Sequence, residues 1–266
     1  MISFIVPAYN EELELASTIE AIRAAAFGAG RAYEIIVVDD ASTDATPEIA
    51  AQFGARIITI NRRQIAAARN AGGRAAHGDI LFFVDADTRI NAAHVTEAIA
   101  ALEAGYAGGS ARVVTDGSIP LWARAMVRMF CILYFGLNLG AGAFLFTTRP
   151  NFDAIGGFDE QYFIGEEVWF SVGLKRLGRF KVVREPIVTS GRKLRIYSAS
   201  EILRSLFAGL LVCLGVARSR AKLSLWYDGK RETAAAVYER RLGPGVAKSG
   251  SSYRIGTRLW LRARER

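Results

Sequence analysis

Two aspartates separated by one alanine, Asp85-Ala86-Asp87, directly follow the apolar run "ILFFV" at residues 80–84. The run reads as a buried strand, and residues i and i+2 of a strand point to one face. If the extended backbone continues through "VDADT", both carboxylates project together. Two carboxylates that close repel unless a cation or hydrogen-bond donors neutralise them. A few hard oxygen ligands suit Mg2+ or Mn2+, which complete their shells with water and substrate phosphates. Alone the pattern is weak, since one aspartate can cap the next helix while the other faces water.

Composition limits other metal chemistry. Histidine occurs only as His77 and His94, which excludes a histidine-rich centre. Cys131 and Cys213 lie far apart in apolar runs, without metal spacing, and read as buried reduced thiols of a cytosolic protein.

The elements that would position the carboxylates alternate at α/β spacing over the first 115 residues or so. Strands are expected at "ISFIVPAY", "YEIIVVDD", "ARIITIN" and "DILFFVDAD". Between them come helices at "EELELASTIEAIRAAA", capped by Asn10, and at "STDATPEIAAQFG", with Thr46 as N-cap and Pro47 in the first turn. A short helix weakened by its glycines is expected at "QIAAARNAGGRAA", and another at "AAHVTEAIAALEAG". This order implies a mostly parallel sheet with helices on both faces. Ligands of such sheets bind beyond the carboxyl ends of the strands. Here those ends read "PAYNEE", "DDAS", "NRR" and "DADT", all polar or charged.

Beyond residue 115 the alternation stops. "IPLWARAMVRMFCILYFG" reads as an apolar helix, "GAFLFTTR" as a strand, and "FDAIGGFDEQYF" as turn-rich. "EEVWFSVGLKRLG" reads as a helix with Val168, Val172, Leu174 and Leu177 inward, and "FKVVREPIVTS" as a strand pair interrupted by Pro186. "ASEILRSLFAGLLVCLGVARSRAKLSLWY" reads as one or two amphipathic helices, followed by a flexible tail marked by Gly243, Pro244 and Gly245. The net charge of +8 is concentrated there: residues 229–266 hold ten Lys/Arg against three Glu, a net +7. A basic tail suits an acidic partner such as anionic lipid headgroups or nucleic acid. No run reaches the roughly 20 apolar residues of a spanning helix. Met1 leads straight into "SFIVPAY", without the features of a signal peptide, so a cytoplasmic location is expected.

The motifs "VPAYNEE", "VVDDASTD", "AAARNAGGRAAHGDILFFVDADT" and "GGFDEQYFIGEEVWFSVGLKRLG", in this order, closely resemble family 2 glycosyltransferases over residues 1 to about 190. The resemblance implies a GT-A (Rossmann-like) α/β fold: a domain over 1–195, with a nucleotide-binding half at 1–115 and an acceptor and catalytic half at 116–195. An amphipathic extension at 196–228 and the basic tail at 229–266 would follow.

It also implies site roles. Pro7, Ala8, Tyr9 and Glu11 would line a uracil or guanine pocket, Asp39 would hydrogen-bond the base with Asp40 beside it, and Arg69 would face the nucleotide. Asp85 would contact the ribose or a metal-bound water, and Asp87 would bind the metal, Mn2+ or Mg2+. The general base comes from Glu166-Glu167, with Glu167 preferred, where the family usually has Glu-Asp. In the first turn of a helix such carboxylates would be expected to titrate low.

The donor would be a UDP- or GDP-type sugar and the acceptor a glycan or a lipid-linked hydroxyl, with peripheral contact at a membrane and nucleic acid not expected as a partner. A late metal-ligand histidine found in some relatives is missing; Arg192, Lys193 and Arg195 occupy that region and could steady a departing diphosphate. The processive Q-x-x-R-W pattern is absent, which favours transfer of a single sugar. A sugar-phosphate nucleotidyltransferase or a dinucleotide dehydrogenase would carry a glycine-rich loop after the first strand, and "VPAYNEE" has none. The remaining alternative is a catalytically degenerate binding module of the same fold.

Overall fold

In the computed structural model the described residues are 1–204, 232–233 and 236–237. Met1–Gly229 and Lys230–Arg266 form separate compact units, and every strand and helix named below belongs to the first. Most of the expected extension at 196–228, Cys213 and nearly all of the basic tail lie outside the described residues.

Four parallel strands form one side of the sheet: β1 (Ile2–Ala8), β2 (Tyr33–Asp40), β3 (Arg56–Ile60) and β4 (Ile80–Val84). β5 (Thr88–Arg89), β6 (Tyr106–Thr115), β7 (Phe144–Thr148) and β8 (Arg179–Thr189) complete eight strands in the order β3-β2-β1-β4-β7-β6-β8-β5. β7 runs antiparallel between β4 and β6, while β6 and β8 are parallel.

Alternation along the strands builds two cores. Phe4, Val6 and Phe82 face one side with Ile19 and Ile22 of α1 (Leu15–Gly28) and Val95 and Ile99 of α4 (Ala92–Glu103), α2 (Thr46–Gln52) lying between them in the chain. Ile5, Val38 and Phe83 face the other, with Ala66 and Ala68 of α3 (Ile65–Ala75) and Phe152 of α6 (Arg149–Ala154), α5 (Leu121–Gly136) preceding β7. Phe170 and Leu174 of α7 (Glu166–Leu177) complete that side. The last short helix is α8 (Arg192–Ile196).

Several local expectations are corrected. Asn10 does not cap α1, which begins at Leu15; it sits at φ 52° and its side-chain oxygen accepts from the Thr43 amide, tying the β1 end to the β2 end. Ala45, not Thr46, is the N-cap of α2, because the Thr46 hydroxyl accepts from the Glu11 amide instead. The extended backbone stops at Val84. Asp85 donates its amide to Ala143 O, and Thr88 N returns to Asp85 O at 3.0 Å, closing a turn over the two aspartates. Leu174 does face inward, but with Glu166, Phe170 and Ser171; Val168 and Val172 are only partly covered and Leu177 is exposed. "FKVVREPIVT" is one strand, with the register against β6 shifting between Ala111/Val183 and Val113/Ile187, so Pro186 falls in an irregularity that needs no ladder donor. Cys131 is half-buried rather than buried.

The α3 glycines serve packing. A Cβ at Gly72 would run into Ile5 and Val38, so only glycine lets this helix lie so close to β1 and β2.

Candidate functional site

The parallel register brings the ends of β1 to β4 to one edge, with Pro7 opposite Val38 and Ala8 opposite Asp39. Asp39 is buried and accepts from the Ser42 amide at 3.3 Å. Asp40, the next residue, holds the backbone of a neighbouring loop. Its oxygens accept from the amides of Arg62, Arg63 and Gln64 at 2.7, 2.8 and 2.7 Å, fixing the loop after β3. In that loop Arg63 is held at φ 49°, a region that a side chain other than glycine seldom occupies unless its surroundings impose it. The result is a guanidinium 3.2 Å over the Tyr9 ring centroid.

Arg69 is the centre of a second group. Its side chain is 2% exposed; one terminal nitrogen donates to Glu166 Oε1 at 2.8 Å, the other to Asp85 Oδ1 and Gly142 O, both at 2.9 Å. Burial opposes its charge, but Asp85, Glu166 and Glu167 more than offset this and raise its pKa. The guanidinium lies 5.2 Å from the Phe158 ring, which stacks on Phe170 at 4.0 Å. Asn70 fixes Phe158 from both sides, accepting from its amide and donating to its carbonyl, each at 2.8 Å.

Arg192 joins the β1 end to Asp87. It grips both oxygens of Glu11 at 2.5 and 2.6 Å and reaches Asp87 Oδ2 at 3.3 Å. Burial again opposes the charge, and Asp87 and Glu11 outweigh it, so its pKa rises. The Glu11 carboxylate is buried and paired with Arg192. Lys193 beside it titrates low through burial and Arg192. Arg195 turns away to Asp116.

Glu166 and Glu167 open α7 as expected, but Glu167 does not titrate low. Burial, with Glu166 beside it, pushes its carboxyl up to about 8. The Tyr134 hydroxyl of α5 lies 3.3 Å from Glu167 Oε1 and works the other way, favouring the ionised form. Asp85 is also raised, by burial first and by Asp87, against the pull of Arg69.

Among the described residues no three His, Cys, Asp or Glu gather as a metal-holding group. The donors near the turn are Asp85, whose Oδ2 accepts no hydrogen bond from the described residues, and Asp87, whose contacts to Thr189 Oγ1 and Arg192 are both long at 3.3 Å. Two such carboxylates suit a hard ion that takes the rest of its shell from water and a diphosphate. They do not make a self-sufficient protein cage.

Sequence reasoning missed Tyr134, Asn70 and Phe158. Tyr134 lies in an apolar run, while Asn70 and Phe158 fall inside the quoted motifs but carried no role of their own there. Arg63 was marked only as part of the charged strand end "NRR"; its place over Tyr9 depends on the Asp40 loop.

Similarity to known proteins gives the family and the fold. The model of the family described as Glycosyl transferase family 2 matches residues 3–185. Undecaprenyl-phosphate 4-deoxy-4-formamido-L-arabinose transferase of Pseudomonas aeruginosa is 35% identical over 95 residues, 33% of this chain and 28% of that protein, so the match spans well under half of the relative. Among solved structures, a mannosyltransferase of Pyrobaculum calidifontis in complex with GDP-Man and Mn2+ superposes with TM-score 0.60 at 20% identity, covering 98% of this chain and 80% of that one. Glucosyl-3-phosphoglycerate synthase of Mycobacterium tuberculosis, in complex with Mn2+, UDP and phosphoglyceric acid, gives TM-score 0.59 at 23% identity, over 82% and 80%. The chain belongs to glycosyl transferase family 2 and has the GT-A fold.

Proposed function

We propose that this chain is an inverting enzyme that transfers one sugar from a UDP- or GDP-sugar to a hydroxyl of a glycan or a lipid-linked acceptor, working at the cytoplasmic surface of a membrane. The observation that supports it most is the Arg69 bridge. One buried guanidinium ties Asp85, at the sheet edge where a nucleotide would bind, to Glu166, next to Glu167, whose carboxyl is pushed up to about 8.

Pro7, Ala8, Tyr9 and Asp39 form the base wall in this reading. Asp40 shapes it through the loop that carries Arg63, and Glu11 shapes the phosphate side by holding Arg192. Arg192 faces the diphosphate as a fixed cation, with Lys193 beside it. Asp87, with Asp85, would hold a divalent ion of the Mn2+ or Mg2+ type, which supplies positive charge to the departing diphosphate when bound.

Glu167 is the base. The acceptor oxygen bonds to the anomeric carbon as the bond from that carbon to the phosphate oxygen breaks, and the hydroxyl proton passes to Glu167. Attack from the side opposite the diphosphate inverts the anomeric centre. Arg69 keeps Glu166 and Asp85 neutralised, so that their charges add less to the cost of ionising Glu167.

The test is calorimetric titration of UDP and GDP, each with and without Mn2+, on the natural chain and on Asp87→Ala. Binding of one nucleotide that needs both the ion and Asp87 supports the reading. Absence of ion-dependent binding of either would overturn it and favour a degenerate binding module.

A further inference from the structure

α5 is apolar on two opposite sides. Inward, Ala123 is buried, Met126, Val127 and Tyr134 are half-covered, and Met126 packs with Tyr197 and Ile202. Outward, Leu121, Met129 and Ile132 are 79, 60 and 64% exposed, and Ala125 between them is exposed too. Spacings of four, eight and eleven residues place these on one stripe. Leu137, just past the helix end, extends it at 68% exposed. Arg124 and Arg128, exposed and one turn apart, flank the stripe, and α5 contains no Asp or Glu. A stripe of this kind needs an apolar neighbour with negative charge at its border.

We propose that α5 lies in the plane of an anionic lipid surface, with Leu121, Met129 and Ile132 at the acyl boundary and Arg124 and Arg128 among the headgroups. Sixteen residues span about 24 Å, short of a bilayer core of about 30 Å, and among the described residues no helix is long and apolar enough to cross one. Charge selects lipid over the other occupants. A second copy, face to face, would set the arginines against each other with no acidic partner on α5.

The last turn of α5 carries Tyr134 to Glu167, so the helix seated on lipid also abuts the base. Resting on the transfer reading above, this narrows the acceptor to one borne on a lipid and presented at the membrane face.

The test uses the full chain with vesicles of equal parts phosphatidylcholine and phosphatidylglycerol, and with phosphatidylcholine alone. Co-sedimentation is compared for the natural chain, Met129→Glu/Ile132→Glu and Arg124→Glu/Arg128→Glu, all at exposed positions, with thermal melts to verify folding. Expected are binding to the anionic vesicles and at least tenfold weaker partition for phosphatidylcholine alone and for both variants, with nucleotide binding in solution unchanged. Three results would overturn the proposal: a natural chain that stays in the supernatant, variants that bind as well as it does, or a natural dimer that Met129→Glu/Ile132→Glu converts to monomer. The vesicle assay needs no nucleotide. Vesicle binding without nucleotide binding therefore removes the transfer reading and leaves the lipid surface standing.

Discussion

Replacing Arg69 by Met tests the centre of the site. The side chain is 2% exposed and that of Glu166, its partner at 2.8 Å, 6%, so neither charge can find water where it stands. Methionine fills much the same space beside Phe158 but leaves the Glu166 carboxylate buried and unpaired. Removing one member of a buried ion pair costs about 3–5 kcal/mol. A domain of this size loses about 2–4 °C of melting temperature per kcal/mol, so the expected fall is roughly 6–20 °C. Asp85 is 35% exposed on its side chain and can rehydrate, so it contributes little to the loss. The double variant Arg69→Met/Glu166→Gln removes both buried charges and should regain at least half of the lost stability. Scanning calorimetry on natural, single and double variants gives the coupling energy directly. A single variant melting within about 2 °C of the natural chain, or a coupling below about 0.5 kcal/mol, would show that the bridge does not hold the site together.

The same geometry sets two further outcomes. Because the Glu167 carboxyl is held near 8 against an ordinary 4.5, it must lose its proton to act, and kcat/KM should rise with pH through about 8. Glu167→Gln should lower kcat at least about 100-fold with donor affinity kept. A raised folded pKa also means that the stability this group contributes is complete below about 4.5 and lost as pH rises through about 8. The Gln variant should therefore melt higher than the natural chain at alkaline pH, and no gain there would contradict the buried carboxyl. Arg192→Lys keeps the charge but cannot reproduce the two-pronged grip on Glu11. It should cost about 1–2 kcal/mol in denaturant titration, and an unchanged midpoint would show that Glu11 finds another donor.

The parallel half of the sheet was legible because strands covered on both faces read as apolar runs, and "FIV", "IIVVDD" and "ILFFVD" stand out at any distance from their partners. Their polar ends marked the ligand edge for the same reason. The conformation of Asp85-Ala86-Asp87 was not legible. It depends on Ala143 O, 58 residues after Asp85, and on the Thr18 hydroxyl donating to Ala86 O, neither visible in the local pattern. Glu11 and Asp40 were placed at the base by their position, yet each is taken up by a distant partner: Arg192 for one, the amides of 62–64 for the other. Pro186 was read as a break because an irregularity in a long strand looks like a strand end until its neighbour β6 is known.

The grip of Asn70 on Phe158 bears on whether the two halves of the chain can be separated. Asn70 and Arg69 sit on α3, within the first 115 residues, but the backbone Asn70 holds and the carboxylate Arg69 pairs with come from residues 158 and 166. Gly157, at φ 75°, lets the chain pass Asn70 where a Cβ would meet its side-chain oxygen at 2.5 Å. A piece ending near residue 115 would keep the polar ends of β1 to β4. It would also leave a guanidinium and an amide, shaped for an interior, facing solvent. The segment 1–115 is thus no autonomous module to be exchanged between proteins; it and the segment after it would have to change in step, as parts of one inheritance.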